Sequence, residues 1–201
     1  MPAAARAVRA FFLALSIGVL ATGCGGERPA AKFQLTDVTG ASFGRKLDLT
    51  DHNGQRRSLE DFKGKVVVLF FGFTHCPDAC PTTLAELATV AKELGPDAQR
   101  MQVLVVTVDP ERDTPEVLRQ YVPSFNPQFL GLYGTAAETS AAAKEFKVYF
   151  NKQPQPAGGY TMDHSAGTFV LDTQGRLRLF GQYGAGAKAL LHDIKLLLDG
   201  A

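Results

Sequence analysis

Residues 66–81 of the chain are VVVLFFGFTHCPDACP, and this stretch decides the fold. The continuous apolar run from Val66 to Phe71 predicts a strand that is buried on both faces. Apolar residues then recur at helical spacing from Leu84 to Leu94, which predicts an amphipathic helix. Cys76 and Cys80 therefore lie where a strand passes into a helix. Backbone N–H groups and the helix dipole favour a thiolate there, so the pair is suited to disulfide exchange or to binding a soft metal ion.

The rest of the chain alternates predicted strands with predicted helices. The further strands are predicted within residues 33–38, 46–50, 101–108, 129–133, 148–150, 160–172 and 177–180. Two further helices are predicted to begin at Thr114 and Thr135, and a last helix ends near Leu198. The strand at 148–150 is expected at an edge of the sheet. This order predicts one α/β domain, a three-layer sandwich around a central mixed β-sheet. A thiol turn between a strand and a helix near its start is typical of the thioredoxin-like fold.

The first residues predict export from the cytoplasm. Arg6 and Arg9 precede an apolar run, Phe11 to Ala21, that is short for a bilayer span. Small residues then lead to Cys24, as at a bacterial lipoprotein cleavage site, although Ala21 stands where a larger aliphatic residue is commoner. We expect Cys24 to carry a lipid. An uncleaved anchor and ordinary signal cleavage are the alternatives, and all three place the domain outside the cytoplasm.

This interpretation divides the chain into three parts. Residues 1–24 are a lipoprotein-type signal peptide that ends at the lipidation cysteine, 25–32 are a flexible tether, and 33–201 are the folded domain. The expected location is the periplasmic face of a bacterial membrane, with the lipid as the anchor. A formal net charge of +1 gives no indication of a nucleic-acid partner, and we expect none.

The cysteine count leaves one pair for chemistry. With Cys24 lipidated, Cys76 and Cys80 remain, as a structural disulfide, a redox dithiol or part of a metal site. A bridge across so few residues contributes little loop-closure entropy, which makes the structural role the weakest. Three residues separate these cysteines, whereas thioredoxin-type motifs have two. If the turn is helical, both sulfurs lie on one face and can bind one ion. Two thiolates suit linear Cu(I), but a third ligand is usual.

Histidine is the expected third ligand, and the chain has four. The side chain of His75 diverges from that of its neighbour Cys76. His52 precedes an Asn-Gly turn and is expected to be solvated, and His192 is expected at the surface of the last helix, or capping it. His164 is the best candidate, because in a thioredoxin-like fold its segment crosses next to the cysteine turn.

The residues around His164 support two interpretations. Asp163 could orient its free ring nitrogen behind a metal. Alternatively, His164 is a loop residue hydrogen-bonded to Asp163. Thioredoxins place a cis-proline opposite their redox cysteines, but residues 163–168 contain no proline. That absence favours a metal site over a general dithiol oxidoreductase.

Three blocks of the sequence, at 70–84, 106–114 and 163–165, together resemble the Sco/SenC family of copper chaperones. The blocks occur in the family's order and at similar spacing, and the resemblance covers about 33–198. It implies a thioredoxin-like domain on a membrane tether, with copper ligands at Cys76, Cys80 and His164. It also implies a role in assembling the binuclear copper site of cytochrome c oxidase subunit II, by delivering copper, by reducing that site's cysteines, or both. Other periplasmic copper or thiol-redox proteins are further expected partners.

Other functions remain open at this point. A thiol–disulfide oxidoreductase acting on periplasmic dithiols would need the two cysteines but not His164, so whether the protein is an enzyme is undecided. A copper or redox sensor would need the same residues as a chaperone. A peroxiredoxin-like peroxidase is disfavoured, because Pro77 and Phe73 stand three residues before Cys80 and Cys76, where those enzymes place a threonine.

One charged loop, residues 109–113, follows the second apolar strand. Functional loops gather at strand ends in α/β sheets, so this loop could contact a partner protein. The alternative is a salt-bridged loop that supports the helix beginning at Thr114.

Overall fold

The computed structural model describes residues 32–156 and 158–201. The predicted signal peptide, its lipidation site at Cys24 and nearly all of the tether lie outside these residues and stay predictions. Within the described ranges, none of the helices combines the length and apolar character that crossing a bilayer requires.

Most strands of the described chain join one mixed sheet. The strands are β1 (Thr36–Asp37), β2 (Asp48–Asp51), β3 (Arg56–Ser58), β4 (Val66–Gly72), β5 (Met101–Thr107), β6 (Leu130–Tyr133), β7 (Phe150–Pro154), β8 (Tyr160–His164), β9 (Gly167–Leu171) and β10 (Leu177–Gln182). Eight of them form a sheet in the order β1-β10-β9-β4-β5-β6-β2-β3. β4 runs parallel to β5 and antiparallel to β9, and all its residues are buried. The predicted burial of this apolar stretch is confirmed, and the structure places it at the centre of the sheet.

Four helices flank this sheet in the described residues. They are α1 (Ala79–Leu94), α2 (Pro115–Phe125), α3 (Ala136–Glu145) and α4 (Ala187–Leu198), with short 3-10 turns at Leu59–Phe62 and Gly95–Arg100. Local sequence sets their starts: Thr114 caps α2 ahead of a first-turn proline, and Thr135 forms a capping box with Glu138 at α3. The predicted α/β class, with a central mixed sheet and flanking helices, is confirmed.

The region before and after His164 differs from the prediction. The strand expected at 148–150 is instead β7, which begins at Phe150 and pairs with β8 in a separate two-stranded sheet. The strand expected within 160–172 is two strands, since β8 ends at His164 and β9 begins at Gly167. Burial explains the division: all of β9 is buried in the main sheet, whereas most of β7 is exposed. We call the β7–β8 hairpin the histidine arm.

The strand predicted at 33–38 shortens to Thr36–Asp37. The backbone N–H groups of Gln34 and Leu35 donate to the buried carboxylate of Asp193 in α4 instead of a strand neighbour. The Asp193 side chain therefore takes the place of the backbone hydrogen bonds that a neighbouring strand would provide at these two residues.

The prediction of a solvated His52 is wrong. Its residue is 4% exposed, and its Nδ1 accepts a hydrogen bond from the backbone N–H of Gly131 at 3.0 Å. Its carbonyl accepts two hydrogen bonds from the Arg119 guanidinium. The Asn-Gly turn does follow β2, but β2 also pairs with β6, and that second neighbour covers the histidine.

Candidate metal centre

The two cysteines lie on the short path from β4 into α1. β4 ends at Gly72 and α1 begins at Ala79, so Cys76 lies in the connecting turn and Cys80 in the first helical turn. The backbone N–H of Cys80 donates to Cys76 Sγ at 3.4 Å, which keeps the two side chains together although the turn itself is not helical. Both cysteines are free; Cys76 is half-buried and Cys80 is 1% exposed.

His164 reaches this pair from the end of the histidine arm. Its Nε2 lies 3.8 Å from Cys80 Sγ, and the ligand atoms of Cys76, Cys80 and His164 all lie within 4.8 Å of one another. In the described part of the chain, this is the one group of three or more His, Cys, Asp or Glu side chains that could bind a metal ion. The structure therefore brings together the three side chains that the sequence analysis singled out.

The other two histidines point elsewhere. The side chain of His75 is 55% exposed, and its Nδ1 lies 3.1 Å from Thr74 Oγ1. His192 is half-exposed on α4, and its Nδ1 lies 2.7 Å from a carboxylate oxygen of Asp193. The predicted surface position of His192 is confirmed.

A backbone carbonyl, rather than Asp163, orients the His164 ring. Nδ1 lies 3.0 Å from the Ser165 carbonyl oxygen, which can only accept, so Nδ1 carries the proton and Nε2 presents its lone pair to the sulfurs. Asp163 is exposed, because consecutive residues of β8 point to opposite faces. The rings of Phe73 and Phe70 pack edge-on against the same imidazole, with their ring centres 5.8 Å and 6.5 Å from its centre.

Burial controls protonation at the site. It is the main cause that raises the pKa of the Cys80 thiol, and a hydrogen bond with Cys76 adds to the effect. Burial also lowers the pKa of His164 and thereby keeps its imidazole neutral. The helix start was expected to favour a thiolate, but for Cys80 desolvation outweighs the dipole. The metal-free site thus holds a buried thiol that a soft cation can deprotonate on binding.

Gly72 makes room for the buried sulfur. A Cβ atom at this position would lie 3.0 Å from Cys80 Sγ and 2.6 Å from a ring carbon of Phe70. Contacts this short force neighbouring atoms to move, so the last residue of β4 is restricted to glycine by the sulfur and the ring. The sequence analysis missed this role, although the glycine directly follows the apolar run.

The charged loop at 109–113 supports the cysteine turn. The buried carboxylate of Asp113 accepts hydrogen bonds from the backbone N–H and the hydroxyl of Thr74, at 3.1 Å and 2.6 Å, and from the hydroxyl of Thr107 at 2.6 Å. No local sequence pattern indicates this contact, because Asp113 and Thr74 are 39 positions apart. The loop does more than support the start of α2.

The donor set determines what the site can bind. Two sulfurs and one imidazole nitrogen are soft and borderline ligands, which suit Cu(I) or Zn(II) and disfavour the hard cations Mg²⁺ and Ca²⁺. The same two thiols can alternatively be oxidised to a disulfide, with release of two protons and two electrons. Metal binding and thiol redox chemistry therefore compete for the same atoms.

Comparisons with known proteins show which family and which solved structures the chain resembles. The family described as SCO1/SenC matches residues 31–199. The chain is 43% identical over 130 residues to the mitochondrial SCO2 homolog of Danio rerio, covering 63% of this chain and 47% of that protein. It spans about half the length of the first curated relatives that it matches.

Two solved structures share the fold closely. Bradyrhizobium japonicum ScoI with copper bound is 38% identical, with a TM-score of 0.72, and the match covers 78% of this chain and all of that one. Apo Sco1 from Thermus thermophilus is 40% identical, with a TM-score of 0.74, covering 84% and 99% of the two chains. The expectation of a thioredoxin-like fold of the Sco type is confirmed.

Proposed function

The chain belongs to the SCO1/SenC family, and we propose that it binds one copper ion through Cys76, Cys80 and His164 and delivers it during assembly of cytochrome c oxidase. One observation carries the proposal: two thiols and an imidazole from distant segments converge within 4.8 Å. The copper-bound relative from Bradyrhizobium japonicum supports the choice of metal.

The chemistry of the site supports transient carriage of Cu(I). Thiolate ligands select a soft cation, and the partial exposure of Cys76 and His164 leaves a side from which a partner's ligands can approach. Oxidation of Cys76 and Cys80 to a disulfide removes two of the three ligands. Copper occupancy is therefore coupled to thiol redox state in this proposal.

The proposed recipient is the binuclear copper site of cytochrome c oxidase subunit II, at the periplasmic face of the membrane. Family membership and the predicted signal support this assignment. The lipid on Cys24 would keep the domain next to its membrane-bound partner.

A second function uses the same sulfurs. The two free thiols favour thiol–disulfide exchange, as does the hydrogen bond from the Cys80 backbone N–H to Cys76 Sγ, which keeps the side chains together. By this exchange the protein would reduce the cysteines of the recipient site. This activity needs Cys76 and Cys80 but not His164.

Copper loading separates these functions. The purified protein comprising residues 25–201 is reduced and incubated with Cu(I), and its metal content is measured. The variants are Cys76→Ser, Cys80→Ser and His164→Ala. We expect one ion per chain, with weakened or altered binding in all three variants, and retained dithiol reductase activity in His164→Ala. Copper binding that is indifferent to His164 would refute the three-ligand site. Tight Zn(II) binding with no Cu(I) preference would refute the choice of metal.

A further inference from the structure

The third ligand is carried by a hairpin whose strands do not join the main sheet. The strand ladder of the histidine arm joins only its own two strands, Phe150–Pro154 and Tyr160–His164, and most of the outer strand is exposed. Apart from its short link to β9 in the main sheet, the arm is therefore positioned relative to the cysteines by contacts between its residues and the rest of the domain.

Arg112 makes several of these contacts, and they involve Tyr160 of the arm and Asp109, which binds Tyr160. Its Nη1 donates to the Tyr160 carbonyl at 2.9 Å, and its guanidinium carbon lies 3.8 Å from the centre of the Tyr160 ring. The Tyr160 hydroxyl donates to Asp109 at 2.8 Å, and Asp109 is in turn ion-paired with Arg112. Asp109 is buried and the Arg112 side chain is 25% exposed, so these charges are poorly screened.

The loop that carries Arg112 also contacts the cysteine turn. Asp113, the next residue, accepts two hydrogen bonds from Thr74. The Arg112 guanidinium lies 5.9 Å from the centre of the Phe73 ring, which contacts the His164 ring edge-on. One short loop thus touches both halves of the site.

We propose that Arg112 is a positioning residue that sets the distance between His164 Nε2 and the two sulfurs. It does so by joining Tyr160 of the histidine arm to the loop that holds the cysteine turn. Loss of Arg112 frees the arm and leaves a bound Cu(I) ion mainly on the two sulfurs. The consequence for copper rests on the proposed function; the consequence for the arm does not.

Two other residues provide matched controls. Lys152 also joins the arm to this loop, through Glu111, but both side chains are largely exposed, and such pairs contribute little. Arg119 donates twice to the His52 carbonyl, away from the arm. Lys152→Ala tests whether the loss of any contact to the arm weakens Cu(I) binding. Arg119→Ala tests whether the loss of any arginine that donates to a backbone carbonyl does so.

A double-mutant cycle in the purified protein tests the copper consequence. We expect Arg112→Ala to weaken Cu(I) binding roughly 10- to 100-fold, as is typical when a residue that orients a metal ligand is lost. The X-ray absorption spectrum should shift from that of three-coordinate towards that of two-coordinate Cu(I). In a His164→Ala background the same substitution should change affinity little, because no third ligand remains to position. Arg112→Lys keeps the charge but loses the planar stack, so we expect partial recovery. Lys152→Ala and Arg119→Ala should retain the three-coordinate spectrum.

Hydrogen exchange of the metal-free protein tests the arm itself. Arg112→Ala should speed exchange at 150–164 and leave the amides of β4 and β5 unchanged. Equal loss of affinity with and without His164, or unchanged exchange in the arm, would overturn the proposal. If the wild type binds no copper but the arm loosens as described, the proposed function fails while the role of Arg112 stands.

Discussion

Cys80 Sγ lies 3.8 Å from His164 Nε2, although 84 positions separate the two residues. The sheet creates this contact, because β9 pairs with β4 and places Thr168 opposite Phe70, close to the end of the central strand. β8 ends just before β9, so its last residue arrives beside the cysteine turn. The full ligand set therefore exists only in the folded chain, and any ion that binds it stabilises the fold.

The first prediction compares His164 with His75, the histidine that adjoins Cys76 in sequence. His164→Ala removes the nitrogen ligand of the Cys76, Cys80 and His164 group, so Cu(I) affinity should fall by more than about tenfold, since losing a residue that merely orients a ligand already costs that much. His75→Ala should retain wild-type affinity, because the His75 side chain is more than half exposed and lies outside the ligand group. Competition with a Cu(I) chelator measures both. Equal losses in the two variants would contradict the assignment of the ligand.

The second prediction concerns Asp163, which the sequence analysis placed behind His164. Its side chain is exposed, and the Ser165 carbonyl accepts from the ring instead. Asp163→Asn should change copper affinity by less than about threefold, since exposed substitutions usually change free energies by about 0.5 kcal/mol or less. The same competition assay applies. A tenfold loss would restore Asp163 as an orienting group.

The residues around His164 show how much of the site could be predicted from the sequence. The strand, thiol turn and helix around Cys76 and Cys80 were predictable, because they follow from local hydrophobic pattern over adjacent residues. His164 was reachable only through the expected fold and the family resemblance, since nothing local links it to the cysteines. Its true partner, the Ser165 carbonyl, is a backbone atom that no side-chain pattern indicates.

The predictions failed mainly for residues that are buried by elements distant in the sequence. His52 looked like a turn residue, and its cover comes from Gly131, 79 positions later. The loop at 109–113 looked like exposed charge, yet Asp109 and Asp113 are buried with partners on other elements. Charged residues are rarely buried unless they are paired, and the partners of Asp109 and Asp113 lie too far away in the sequence to be recognised from it.

The third prediction is that copper affinity rises with pH. Burial raises the pKa of Cys80, so the thiol stays protonated through the neutral range and loses its proton only when the metal binds. Cys80 should therefore contribute a slope of about one log unit of apparent affinity per pH unit between about pH 6.5 and 8.5. His164, whose pKa is lowered, is neutral there and contributes none. Chelator competition across this range should show a slope about one unit smaller in Cys80→Ser and unchanged in His164→Ala.

The fourth prediction concerns the space beside the buried sulfur. In Gly72→Ala the new methyl group would press on Cys80 Sγ and on the Phe70 ring, so we expect a loss of about 1–3 kcal/mol in the free energy of unfolding and weaker copper binding. Gly64→Ala is the control, because Gly64 has a positive φ but open space around its Cβ position. It should lower stability and leave copper affinity unchanged. Urea unfolding and chelator competition separate the two effects, and normal copper binding by a folded Gly72→Ala protein would show that the sulfur tolerates displacement.

The last prediction concerns the buried His52. His52→Leu leaves the Gly131 N–H without its acceptor, which should cost about 1–3 kcal/mol of the free energy of unfolding. His52→Asn offers an oxygen near the position of Nδ1 and should recover part of that loss. Copper affinity should change in neither variant, because His52 lies outside the ligand group.

Acid titration of stability provides a separate test of the same residue. Burial lowers the pKa of His52 below its ordinary value of 6.5, so the unfolded chain takes up a proton that the folded protein does not. Its contribution to stability is complete above pH 6.5 and is lost as the pH falls below that value. His164 acts with the same sign, so urea unfolding from pH 7 to pH 5 should show a shallower decline in His52→Asn and a still shallower one when His164→Ala is added. A wild-type slope that persists in the double variant would place the acid sensitivity in the carboxylates instead.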